Sequence, residues 1–184
     1  MEVILFSFIF VFVLIAQLLL GKHITPVMRD LRRYKEGIEL VKQKKYEEAV
    51  IYFDTLKETH PQSAVVWAYS GIAHFYLGDY YHTLAYCQKA LEIDYTLTQC
   101  YFYKGRAFFE LEDYEKACQE FEKNLWHSRH KLPEVYRYLG QCYLALNKEE
   151  LALKNLQKAV QMQDEDANYL LMQLVRRNSK HKKT

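Results

Sequence analysis

Four glycines, Gly37, Gly71, Gly105 and Gly140, follow one another at steps of 34, 34 and 35 residues. Tyr46, Tyr80 and Tyr114 keep the same register, and so do the small residues Ala49, Thr83, Ala117 and Ala152. A period of this length marks a stack of small supersecondary units, none of which can bury its apolar face without a neighbour. No segment alternates apolar and polar residues for long enough to build a sheet, so the units are helical.

Within each unit the pattern predicts two helices. First helices are expected at about 30–42, 64–76, 98–110 and 133–145, and second helices at about 46–58, 80–93, 114–127 and 149–162. A glycine on the first helix lets the second approach closely, and the small residue on the second helix serves the same contact from the other side. Gly78-Asp79 and Asn147 supply permissive backbone at the turns, and Pro133 suits the first turn of a helix.

These residues resemble the tetratricopeptide repeat family, whose unit is a 34-residue helix-turn-helix. The family's large position is Trp67, Tyr101 or Tyr136, its later aromatic or apolar position is Phe53, Phe121 or Leu156, and its small position Ala90 or Ala159. Pro61 closes the first unit. Arg33, Asn124 and Tyr95 depart from the pattern at single positions. The fold class expected is all-α, an α-solenoid of about four such repeats (30–63, 64–97, 98–131 and 133–166). A capping helix at 167–177 follows, with Leu174 standing where a glycine would fall in a fifth unit. Residues 178–184 are read as a basic, disordered tail.

Residues 3–20, VILFSFIFVFVLIAQLLL, contain only Ser7 and Gln17 as polar side chains and no charge. At about 1.5 Å per residue such a helix approaches the thickness of the hydrocarbon core. Glu2, the absence of Lys or Arg before the run, and Leu18-Leu19-Leu20-Gly21 in place of a small-x-small site argue against a cleaved signal peptide. One transmembrane helix at 1–21 and a juxtamembrane linker at 22–29 are therefore expected, with the lipid bilayer as a partner through residues 3–20. Lys22, Arg29, Arg32, Arg33 and Lys35 follow the run, which places the repeats on the cytoplasmic side by the positive-inside rule. Cys87, Cys100, Cys118 and Cys142 form no CxxC pair and read as buried thiols, in keeping with a reducing compartment. Repeats on the exported side are the alternative.

Catalytic motifs are missing: there is no Gly-rich phosphate loop, HExxH or GxSxG, and no acidic metal cluster. The chain is read as no enzyme, with no cofactor and no small-molecule substrate. No ligand spacing joins Cys118 to His127 and His130, so no metal site is assigned, and His74 at an inner position reads as a core histidine.

The surface with a task is the inner wall of the solenoid, which the first helices line in this family. By register the groove residues are Tyr34, Ile38, Tyr69, Ile72, Tyr76, Phe102, Tyr103, Arg106, Phe109, Arg137, Tyr138 and Gln141. Tyrosines give broad contact with an orienting hydroxyl, which suits a peptide or helix from a protein partner, and Arg106 and Arg137 offer anchors for an acidic group. The family's clamp for the acidic tails of heat-shock chaperones needs Lys, Asn and Arg at set places. In one frame those places hold Tyr34, Ile38, Tyr69, Gln99 and Tyr103, in the other Ala68, Ile72, Tyr103, Glu134 and Tyr138. No clamp residue is kept in either.

The function expected is a membrane-anchored protein-protein interaction module, a scaffold or assembly factor. A competing reading gives the binding to Arg176, Arg177, Lys180, Lys182 and Lys183, attracted to anionic lipid or nucleic acid. Residues 36–175 hold 15 basic and 21 acidic side chains, and that balance argues against nucleic acid along the groove.

Overall fold

The structure, a computed structural model, describes residue 11 and residues 25–181, with side chains through 177. The expected anchor at 3–20 lies outside the described residues apart from Val11, as do residues 182–184. Among the described residues no helix is long and apolar enough to cross a membrane.

Ten helices make up the described chain, and no strand occurs among them. They are α1 (Pro26–Arg33), α2 (Lys35–Lys42), α3 (Tyr46–Thr59), α4 (Ala64–Tyr76) and α5 (Tyr80–Ile93), then α6 (Thr98–Glu110), α7 (Tyr114–His127), α8 (Pro133–Ala145), α9 (Glu149–Gln161) and α10 (Glu165–His181). Helices packed in sequence as hairpins, with α2 against α4, α4 against α6 and α6 against α8, give the stacking of a solenoid.

Each hairpin closes over its glycine. A Cβ built on Gly105 would stand 2.7 Å from the Phe121 ring, and one on Gly140 2.6 Å from Leu156. Phe53, Phe121 and Leu156, one per unit, are fully enclosed at this contact. Cys87 occupies the same place opposite Gly71, and all four cysteines are buried free thiols. Asn124, which departs from the family's alanine, is buried for a reason: its Nδ2 donates to the Thr98 carbonyl at 2.7 Å and ties α7 to the start of α6.

Two segments differ from expectation. Residues 26–29, read as linker, belong to α1, because Pro26 suits the first turn and the Thr25 hydroxyl caps it by accepting from the Met28 amide at 3.2 Å. The first unit therefore opens with two short helices broken at Tyr34. The last helix begins at Glu165 and its backbone runs to His181, beyond 167–177 and into the segment read as disordered. No Gly or Pro follows Asp166 to stop it. Ala167 and Leu174 bury against Tyr136, Leu156 and Ala159, so this helix covers the open face of the last hairpin.

Candidate functional site

The α2, α4 and α6 faces meet in a hollow of about 330 Å³ lined by Val41, Lys42, Lys44, Tyr46, Tyr69, Ile72, Tyr76, Gln99 and Tyr103. Tyr46 stacks on Tyr76 with ring centroids 4.5 Å apart and planes at 9°. The Tyr76 and Tyr103 hydroxyls share a hydrogen bond of 3.0 Å. Burial first, and this hydrogen bond second, raise the Tyr103 pKa, so the phenol stays protonated and able to donate. Tyr76 remains 41% exposed and presents its ring to any guest.

Beside the hollow Arg106 lies in a cage of rings. Its guanidinium carbon is 4.3 Å from the centroid of Phe75, 5.6 Å from Tyr138, 5.8 Å from both Phe102 and Tyr103, and 6.0 Å from Tyr76. Such cation–π contacts hold the side chain in place without neutralising it. The Arg106 Nε is buried without a hydrogen-bond partner, and so is Gln141 Oε1 on α8. These two atoms lie on neighbouring first helices, α6 and α8.

Not every residue assigned to the groove reaches its surface. Tyr34 (2% exposed) and Ile38 (6%) are core residues, packed with Phe53, Val65 and Val66. Phe102 (8%) is held among Tyr103, Phe121 and Tyr138, and Ile72 (4%) forms only the floor of the hollow. Phe109 and Tyr138 are half-buried against each other, and Tyr138 also stacks on Phe121 at 5.3 Å. The reason is common to all six: in a stack, an inward-facing side chain also meets the helix of the next unit.

Arg137 is already engaged. Its Nε donates to Asp164 Oδ2 at 3.1 Å, and an Nη lies 3.7 Å from Asp166. Burial works against its charge, but the Asp164 hydrogen bond and charge outweigh this and raise its pKa. It ties α8 to the start of α10 and is no free anchor for a guest. In exchange, Tyr46, Lys42 and Lys44 line the hollow although register on the first helices did not select them, beside Gln99, which the inner-wall register does reach. Tyr46 begins a second helix, and the two lysines flank the turn before it. The Lys/Arg content of that turn was the available signal. In the basic tail, Arg177 pairs with Glu149 at 3.2 Å.

Residues 135–166 and 99–123 each match a tetratricopeptide repeat model. The chain is 27% identical over 155 residues to an Hsp70-Hsp90 organizing protein of Triticum aestivum, a match that covers 82% of this chain and 26% of that protein. It thus spans about a quarter of the length of the curated relatives it matches first. Among solved structures, MamA 41-end from Desulfovibrio magneticus RS-1 superposes with a TM-score of 0.71 at 20% identity, covering 81% of this chain and 85% of that one. YrrB, described as a TPR protein with an unusual peptide-binding site, gives 0.61 at 25% identity, covering 67% and 64%.

Proposed function

We propose that this chain, like the tetratricopeptide repeat proteins it is similar to, captures a segment of another protein on the wall formed by α2, α4 and α6. The observation that carries the proposal is Arg106, a half-buried guanidinium caged by rings and, among the described residues, without an acidic partner, beside a tyrosine-lined hollow. The tyrosines supply contact area at low rotamer cost, and Arg106 supplies a fixed charge-assisted donor for a carboxylate or a backbone carbonyl of the guest. Lys44 at the rim favours a guest with acidic character, beside Lys42, which already pairs with Glu39 at 3.2 Å. YrrB's described peptide-binding site supports a peptide as the guest class.

Peptides selected from a displayed library on the full-length chain test this directly. Replacing Tyr69, Tyr103 and Arg106 together by alanine, or Arg106 alone by glutamine, is expected to weaken the selected peptides by more than about tenfold. Circular dichroism establishes that each variant is folded, and undiminished affinity in a folded variant overturns the proposal.

The tether belongs to the same reading. Residues 3–20 are long and apolar enough to hold the repeats at a bilayer, with the basic residues after them favouring the cytoplasmic face. A tethered groove concentrates the capture of a partner at the membrane surface. Release of the full-length protein into the soluble fraction by a carbonate wash would refute the tether and leave the groove untouched.

A further inference from the structure

Three potential metal ligands converge where α4 turns into α5. Asp79 Oδ2 lies 3.2 Å from His74 Nδ1 and 2.6 Å from His82 Nδ1. One ligand atom from each of the three residues falls within 4.8 Å of the other two. Two donors on one Zn²⁺, each bonded at about 2.0–2.1 Å, sit about 3.3 Å apart in tetrahedral geometry. The 3.2 Å pair is already at that spacing, while the 2.6 Å contact of Asp79 with His82 is a hydrogen bond that must lose its proton and open by a few tenths of an ångström to admit an ion.

We propose that His74, Asp79 and His82 form a binding site for a borderline divalent metal ion such as Zn²⁺, with water as the fourth ligand.

Local structure holds each ligand in place. Gly78 turns the chain at φ +79°, and Asp79 caps α5 through Oδ1, which accepts from the His82 amide at 3.2 Å. Its other oxygen, Oδ2, faces both imidazole Nδ1 atoms, and an ion would take the place of those two hydrogen bonds. Asp79 and His82, three residues apart across the first turn of α5, share one face. His74 arrives from the end of α4, its side chain only 12% exposed, and its ring packs edge-on against Tyr86 at 5.3 Å.

The charges around the site leave room for a cation. Asp79 meets two imidazoles and, among the described residues, no Lys or Arg. The nearby Lys57 is turned instead to Asp54 at 2.8 Å and to the Tyr86 ring at 3.6 Å. The N-terminal dipole of α5 opposes a cation, and the full charge of the Asp79 carboxylate offsets it. Two imidazoles and one carboxylate select Zn²⁺, Co²⁺ or Ni²⁺ over Mg²⁺ and Ca²⁺, which require oxygen ligands.

The ion would join both helices of the second hairpin at their turn. Since α4 carries Tyr69 and Tyr76, the site stiffens one wall of the hollow without touching it.

Calorimetric titration of the full-length chain with Zn²⁺ in a buffer free of chelators tests the site, with the visible absorption of bound Co²⁺ as a second readout. One equivalent of Zn²⁺ is expected to bind and to raise the unfolding temperature, while Mg²⁺ does neither. His82→Ala, at an exposed position, and Asp79→Asn, which keeps a capping side chain, are each expected to weaken binding by at least about tenfold. Zn²⁺ binding that is absent from the parent chain, or unchanged in both variants, overturns the proposal. Peptide capture by the groove is measured separately, so failure here leaves that reading standing.

Discussion

Gly105 shows how one missing side chain can set the distance between two helices. A methyl group there would stand 2.7 Å from two ring atoms of Phe121, which is itself fully buried and stacked on Tyr138. The ring has no room to retreat, and a methyl forced into it pushes α6 from α7. Gly105→Ala is expected to lower stability by about 1–3 kcal/mol, read from chemical denaturation of the full-length chain. An unchanged denaturation midpoint would mean that the hairpin relaxes freely. Asn124 illustrates the opposite case, where a departure from the repeat pattern carries its own compensation through the Thr98 carbonyl. Arg137 is a third kind of residue: its position on the inner face was legible, yet its engagement by Asp164, 27 residues later, was not.

The turns between paired helices share a device visible only in the backbone. Lys44, Gly78, Glu112 and Asn147 hold left-handed φ values of 62°, 79°, 59° and 57° at the same step as the glycines of the first helices. In each turn the next amide bonds back to a carbonyl five residues earlier, Lys45 to Leu40, Asp79 to His74, Asp113 to Phe108 and Lys148 to Tyr143. This is the Schellman closure, and it satisfies carbonyls that the helix end would leave open. Gly and Asn adopt the conformation readily; Lys and Glu do so at a cost. Gly78 and Asn147 therefore announced their turns, while Lys44 and Glu112 gave no sign of theirs. Glu112→Gly is expected to stabilise the fold by about 0.5–1 kcal/mol, seen as a higher denaturation midpoint, and a loss of stability would show that the Glu112 side chain has contacts that matter more than the strain.

In a stack that contacts only near neighbours, the two ends matter as much as the middle. Here α10 covers the last hairpin with Ala167 and Leu174, while α1 is tied to the start of α4 by the buried Ser63 hydroxyl donating to Asp30 at 2.6 Å. Leu174→Ala, which empties the centre of the cap, is expected to cost about 2–3 kcal/mol in denaturation experiments. A loss much smaller than this would mean that the last hairpin is stable uncovered. The number of units, their order and the glycine-guided contacts were written in the 34-residue period, because a repeated local pattern needs only near neighbours to satisfy it. Which aromatic side chains stay exposed and which arginine is caged among rings depended on the packing of one unit upon the next, and how His74 meets Asp79 and His82 on the packing of two helices within one unit. Those contacts arise from rotamers and helix orientations, and a linear register fixes the face a side chain leaves from but not the neighbour it meets.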